Sequence, residues 1–338
     1  MKNKIVIAST SLVLVLALCS IGLAQKSRPA AAPKQAPTLL NSLPQSDALG
    51  LVDVKQWLDQ ALPKMLAENP GKLAEANAEI DRFKTRTGID PRAFDQVALG
   101  MRYTYPQPGI SKIESVVLAR GTFDAATFVA AGRTASNGQY REEKYKGSTI
   151  YIFTLNQQMK IFGLVNMKVN ELAVTALTKN VLALGTPGTV KTAIDASKNR
   201  KALNQELIAL ATREANAAIG FSGNVTPELL KTVNLGNDVI VKDLSTVRQV
   251  YGTVGVTEKD VEMFLAARTI NPESAKSLGQ TMEGLKQLGA FVVARMPAPK
   301  GTVARSALDH LRITTAGNEL QIRTAIAQAE IAPFMKGE

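Results

Sequence analysis

The sequence predicts an α+β protein made of two tandem similar units, each a mostly antiparallel sheet with helices packed on one face. Three observations carry this expectation. Apolar strands follow one another across tight turns, as in Tyr140 to Tyr145, Lys146-Gly147, then 148–154. Helix starts are legible between the strand groups, because Thr186-Pro187, Thr226-Pro227 and Asn271-Pro272 each place a capping residue before a proline whose missing N–H costs nothing there. Finally, one order of elements is stated twice, over residues 46–203 and 204–338.

The chain opens with Lys2 and Lys4, an apolar run over 5–23, and the small residues Gly22 and Ala24 around Leu23. That is a signal-peptide pattern over residues 1–24, with cleavage expected before Gln25 and export as the consequence. Two other readings accompany it. Leu16-Ala17-Leu18-Cys19 resembles a lipoprotein signal that would leave a lipid on Cys19, although Leu18 is bulkier than the Gly, Ala or Ser such signals take. An uncleaved anchor is the other reading, and Lys26 and Arg28 beyond the apolar run weaken the charge asymmetry it needs. Residues 25–45 read as a Pro/Ala-rich linker, centred on 28–37, and the folded region is expected to start near Ser46.

The first unit opens with the apolar strand Ala48 to Val54 and the second with Ala217 to Val225. Each runs into a helix, through Trp57, Leu58, Ala61 and Leu62 in one and Leu229, Leu230 and Val233 in the other. Gln96-Val97-Ala98-Leu99-Gly100 is echoed by Gln249-Val250-Tyr251-Gly252, and 117–122 by 264–269. Both units close on a hairpin: 172–177 turns at Thr178-Lys179-Asn180 into 181–184, and 311–315 turns at Ala316-Gly317-Asn318 into 320–323. Asn and Gly accept the positive φ such turns require. Together the echoes predict a tandem duplication.

Within these units, Asp124 is placed to cap a helix, with Phe123 and Phe128 in the staple positions around it. Val225 and Leu230 repeat that spacing. The segment 272–296 carries Ala275, Leu278, Met282, Leu285, Leu288 and Val292, a core-facing helical stripe. Gly279, Gly284 and Gly289 weaken it as an isolated helix, so close packing against a neighbour is expected. In 96–105, Val97, Leu99, Met101 and Tyr103 alternate with the semi-polar set Ala98, Gly100, Arg102 and Thr104, as in a sheet with one exposed face.

Composition narrows the chemistry. The formal charge is +11, of which Lys2, Lys4, Lys26, Arg28 and Lys34 contribute five, so the remainder is only mildly basic. That excess suits docking on an anionic polymer or lipid surface. The densest basic clusters, Arg82-Phe83-Lys84-Thr85-Arg86 and Lys198-Asn199-Arg200-Lys201, read as solvated faces. They lack interleaved stacking aromatics, so nucleic acid is not an expected partner.

The one cysteine, Cys19, leaves with the leader, and His310 is the one histidine. A histidine- or cysteine-based metal site is therefore short of ligands. His310 reads as an edge-strand or turn residue. Asp90-Pro91-Arg92-Ala93-Phe94-Asp95 holds two acids, but its proline and arginine make it a turn and not a calcium loop. Gly220-Phe221-Ser222-Gly223 is one residue short of a nucleophile elbow. Neither Ser274-Ala275-Lys276 nor Ser111-Lys112 has serine–lysine spacing, and Glu142-Glu143 shows no glycosidase pair. No catalytic, cofactor-binding or metal-binding residue is nominated, and no cofactor is expected.

Ser46 to Val54, Thr87-Gly88-Ile89-Asp90-Pro91 through Ala98-Leu99-Gly100, and Ala119-Arg120-Gly121-Thr122-Phe123 resemble exported bacterial proteins of unknown function. The resemblance implies a duplicated α+β exported domain and carries no activity. The expected function is that of a non-enzymatic exported protein, a binding or structural module of the bacterial cell envelope with a ligand still to be found. The alternative is a carboxylate-dependent hydrolase acting on an extracellular polymer.

Overall fold

A computed structural model describes residues 39–67, 69–107, 110–161, 165–199, 203–231, 238–298 and 300–330. The expected leader, its cleavage point, Cys19 and residues 25–38 of the expected linker lie outside the described residues.

Twelve strands form one antiparallel sheet. They are β1 (Ala48–Asp53), β2 (Phe94–Gln107), β3 (Ile110–Gly121), β4 (Tyr140–Tyr145), β5 (Ser148–Ile161) and β6 (Val165–Thr178), then β7 (Val181–Gly185), β8 (Ala217–Asn224), β9 (Val247–Val256), β10 (Asp260–Thr269), β11 (Arg312–Ala316) and β12 (Glu319–Ala327). Across the sheet the order is β11-β12-β10-β9-β8-β1-β2-β3-β7-β6-β5-β4. The expected α+β class and its antiparallel sheet are found. The three expected hairpins are the pairs β4–β5, β6–β7 and β11–β12.

The two segments do not make two sheets. β1 and β8 pair directly, with Ala48 opposite Gly223 and Val52 opposite Ile219, so 46–203 and 204–338 share one continuous ladder. Counted outward from that seam, one side runs β1-β2-β3-β7-β6-β5-β4 and the other β8-β9-β10-β12-β11, so the orders correspond over five strands and the first side carries the extra pair β5-β4. The echoed strings fall on corresponding strands, β2 with β9 and β3 with β10.

The helices are α1 (Leu62–Met65), α2 (Pro70–Thr87), α3 (Ala125–Ala135), α4 (Pro187–Asn199) and α5 (Gln205–Ala211), then α6 (Pro227–Lys231), α7 (Asp238–Ser245), α8 (Pro272–Val293) and α9 (Lys300–Asp309). Their starts follow the local chemistry read from the sequence. The Asn271 side chain accepts from the Ser274 N–H at 2.8 Å, capping α8 ahead of Pro272. Phe123 and Phe128 touch edge-on at 5.1 Å across the start of α3.

These helices occupy both faces of the sheet, where one face was expected. Side chains alternate along a strand. On β5, Ile150 and Ile152 pack with Val190 and Ile194 of α4, so Phe153 points to the opposite face, where it lies under Gly132 of α3. On β10, Phe264 and Ala266 pack with Tyr251 and with Leu210 of α5. Leu265 and Ala267 point the other way, into a cluster with Leu278 of α8 and Leu308 of α9.

The start of the fold also needs correction. A 3₁₀ turn, Leu39–Ser42, precedes the expected boundary at Ser46, and Leu39, Leu40 and Leu43 are completely or almost completely buried. They enter one cluster with Leu49, Ala98, Val116, Leu118, Leu207 and Ile208, which draws side chains from both segments. This turn explains the face taken by β2. Ala98 and Gly100 are the buried pair on that strand, and Val97, Leu99, Met101 and Tyr103 are only half-buried. A Cβ on Gly100 would meet Ser46 Oγ at 2.7 Å and Leu43 Cδ2 at 3.2 Å, so the small residues make room for the turn.

Gly220 does the same for α5. A Cβ there would stand 1.9 Å from the Ala211 carbonyl oxygen at the end of that helix, a backbone atom that cannot swing away. Gly220→Ala is expected to cost about 2 kcal/mol, as overpacked interiors do. The check is a drop in urea midpoint at unchanged slope. An unchanged midpoint would mean that α5 does not rest on β8 in this way.

Candidate functional site

The residues weighed for chemistry in the sequence are dispersed and engaged. His310 follows α9, where its backbone N–H donates to the Ser306 carbonyl at 3.1 Å and its Nδ1 lies 2.9 Å from the same oxygen. It therefore closes a helix end, as a turn histidine. Ser222 is buried on β8 and donates to the Leu207 carbonyl at 2.7 Å, fixing α5 to the sheet. Asp90 caps the 3₁₀ turn Pro91–Ala93 through the Arg92 N–H and pairs with Lys84 at 2.8 Å. Hydrogen bonding from Lys84 and the Arg92 amide holds its carboxyl below the usual range against a small desolvation cost.

Asp95 pairs with Lys55, Glu142 with Arg133 and Glu143 with Lys191. The cluster Arg82 to Thr85 is exposed on α2. Lys198 ends α4 and donates to the Lys146 carbonyl, while Arg200 and Lys201 lie outside the described residues. No group of three or more His, Cys, Asp or Glu suited to a metal ion occurs among the described residues.

Among the described residues two buried carboxylates remain, and both are committed. Asp243 of α7 accepts from Ser277 at 2.9 Å and Thr281 at 2.5 Å, both on α8, so it pins the two helices together. Glu319, 8% exposed, begins β12. Its oxygens accept from Arg213 Nη1 at 2.9 Å, Arg268 Nε at 3.3 Å and Gln321 Nε2 at 2.6 Å. Arg213 also donates to the Tyr251 hydroxyl. Both guanidiniums stand over the Tyr251 ring, with Cζ at 5.6 Å for Arg213 and 5.7 Å for Arg268. Such stacking is favourable because the ring face is electron-rich. Arg323 continues the row over Phe264 at 4.2 Å and pairs with Glu214 at 2.8 Å.

The electrostatics of this cluster follow from its burial. Desolvation pushes the Glu319 carboxyl up, but hydrogen bonds from Tyr251 and Gln321 and the charge of Arg213 outweigh it, so its pKa lies below the ordinary carboxylate value. Burial, then the hydrogen bond to Glu319, pushes the Tyr251 phenol well above its ordinary value. The result is a fixed charged layer on the face that carries α5, over an open groove of about 700 Å³ lined by Arg213, Arg248, Arg268, Glu206, Glu319 and Gln321.

Sequence reasoning missed this cluster. One signal was available: Glu319, Gln321 and Arg323 alternate with Leu320 and Ile322, so β12 has one polar face. Its partners come from β10 and from the α5–β8 connection, Arg213 and Glu319 being 106 positions apart.

A second surface lies on the opposite face. The stripe expected to be core-facing along α8 divides in two. Ala275 and Leu278 are buried, but Leu285 is 39% exposed, Leu288 63%, Phe291 72% and Val292 64%. Val293 at the end of the helix is buried, so the second half keeps one covered edge while these four side chains form an exposed apolar flank. On the same helix, Lys286 Nζ donates to the Leu311 carbonyl at 2.7 Å, and on α9, Arg305 Nε donates to the Gly301 carbonyl at 3.0 Å. No helix among the described residues is long and apolar enough to cross a membrane.

No family model matches the chain, and no curated protein matches it. The fold is similar to crystal structures of TP0453, a protein of the bacterium Treponema. Crystal form III is 13% identical at a TM-score of 0.44, over 88% of this chain and 97% of that one. Crystal form I is 12% identical at 0.43, over 89% and 98%. Crystal form IV is 12% identical at 0.44, over 88% and 96%.

Proposed function

We propose that the chain is an exported, non-enzymatic binding module of a bacterial cell envelope, which docks on an anionic envelope surface through the second half of α8. The observation that carries this reading is the exposure of Leu285, Leu288, Phe291 and Val292 on one side of a helix whose Ala275, Leu278 and Val293 are buried. Each such side chain gains about 1.5–3 kcal/mol on full burial, so a contiguous group left in water marks a surface that a partner covers. The net basic charge of the chain suits an anionic interface. The matching strand order on either side of the β1–β8 seam further supports the reading that the two segments arose by duplication.

A carboxylate-dependent hydrolase needs acids free to exchange protons in a cleft. The acids lining the groove, Glu206 and Glu319, both bind arginine, which favours the binding reading.

The test is co-sedimentation with vesicles of phosphatidylcholine mixed with phosphatidylglycerol. The chain from Gln25 onward is expected to pellet with them, less so as salt rises. Leu288→Glu combined with Phe291→Glu is expected to weaken binding about 1,000-fold, from roughly 2 kcal/mol of burial lost at each position. A double variant that folds and pellets like the unaltered chain would refute the reading.

A further inference from the structure

We propose that the groove beside Arg213, Arg248 and Arg268 is a binding site for a small polar ligand bearing a carboxylate or a phosphate, and that Glu206 occupies the anion's place when the ligand is absent. The groove lies on the α5 face of the sheet, away from the exposed end of α8, so this site is independent of the docking surface.

A guanidinium has five N–H donors in a fixed fork. Arg213 uses Nη1 for Tyr251 and Glu319, and Arg268 uses Nε and Nη1 for Glu319, Glu206 and Gln249. Donors are left over on both, and both side chains are about one-third exposed. Arg248 reaches only the Ser245 and Val247 carbonyls and has no acidic partner among the described residues. The spare donors match the geometry of an oxyanion, which arginine holds bidentately.

The arginine heads are preorganised. Buried Glu319 and the Tyr251 ring hold the Arg213 and Arg268 heads before any ligand arrives, so less side-chain entropy is lost on binding. Three arginines against Glu206 and Glu319 leave one positive charge unmatched along the lining. Gln321 adds an amide, and about 700 Å³ is the size of a small-molecule site.

Glu206 is 65% exposed and meets Arg268 Nη1 at 3.1 Å from the first turn of α5. A pair this open contributes little to stability, so an incoming anion displaces it at small cost. The same pair blocks one arm of Arg268 while it lasts.

The two contributions predict variants of opposite sign. At low ionic strength, titration calorimetry with glucose 6-phosphate and with citrate is expected to show binding of at least one of them, with none for glucose. Arg248→Ala is expected to weaken that binding about 10-fold, the loss of one charge-assisted contact. Glu206→Gln is expected to tighten it about threefold, because the occupying charge is gone. Both positions are exposed, and urea melts confirm that each variant folds. Failure of both anions to bind better than glucose overturns the proposal, as does a pair of variants that shift affinity in the same direction. Vesicle binding that fails while anion binding follows this pattern refutes the docking surface alone.

Discussion

Leu39→Ala combined with Leu40→Ala is expected to remove about 5 kcal/mol of stability, enough to leave much of the population unfolded in mild denaturant. Both side chains are fully buried against Leu49, Ala98, Leu118 and Leu207. Truncating a buried leucine costs about 2–5 kcal/mol, through lost transfer energy and the cavity left behind. Because the two sites are adjacent, the losses need not add, and the lower end of the sum is the safer expectation. The turn also joins the two segments, since its cluster includes Leu207 and Ile208 of α5 as well as strands from β1 to β3. A chain shortened to begin at Ser46 should behave worse still, because Leu43 goes too. Urea unfolding followed by circular dichroism gives the number. A loss below about 1 kcal/mol, ordinary for a surface change, would show that the turn is not seated in the core.

That turn was illegible in the sequence for a physical reason. Its four residues are too few to show a period, and they follow a Pro/Ala-rich stretch that reads as solvated spacer. Elements governed by local chemistry were readable. The Asn271-Pro272 start of α8, the Phe123–Phe128 staple and the Gly-containing hairpin between β4 and β5 each depend on neighbours within a few residues. What local chemistry cannot encode is which surfaces meet. The β1–β8 seam pairs residues more than 160 positions apart, and nothing in either strand names the other. The same limit misled the reading of α8. A stripe from Ala275 to Val292 states that one side of the helix is apolar, but not how far its cover extends. The arginine cluster is the extreme case. Arg213, Arg268 and Glu319 are unremarkable singly, and their meaning appears only when the α5–β8 connection, β10 and β12 converge.

Glu319→Gln tests that convergence. The substitution keeps the shape and one hydrogen-bond acceptor but removes the negative charge that Arg213 and Arg268 share. Breaking a fully buried pair costs about 3–5 kcal/mol, but these arginines are about one-third exposed, and water screens part of the loss. About 2 kcal/mol at neutral pH is the expected result. The pH dependence follows from the lowered carboxyl pKa of Glu319. The folded state prefers the ionised form more than the unfolded state does, so the stabilisation is complete above the unfolded value of about 4.3 and is lost as pH falls through the lower folded value. The gap in urea midpoint between the two proteins should therefore be widest near neutral pH and close on acidification. Tyr251, its phenol pushed upward by burial, stays protonated over that whole range and adds no slope of its own. A gap that is constant with pH would mean that packing, and not charge, distinguishes the variant. A gap of zero at neutral pH would mean that the arginines find equal company in water, and that Glu319 does not hold them in place over the groove.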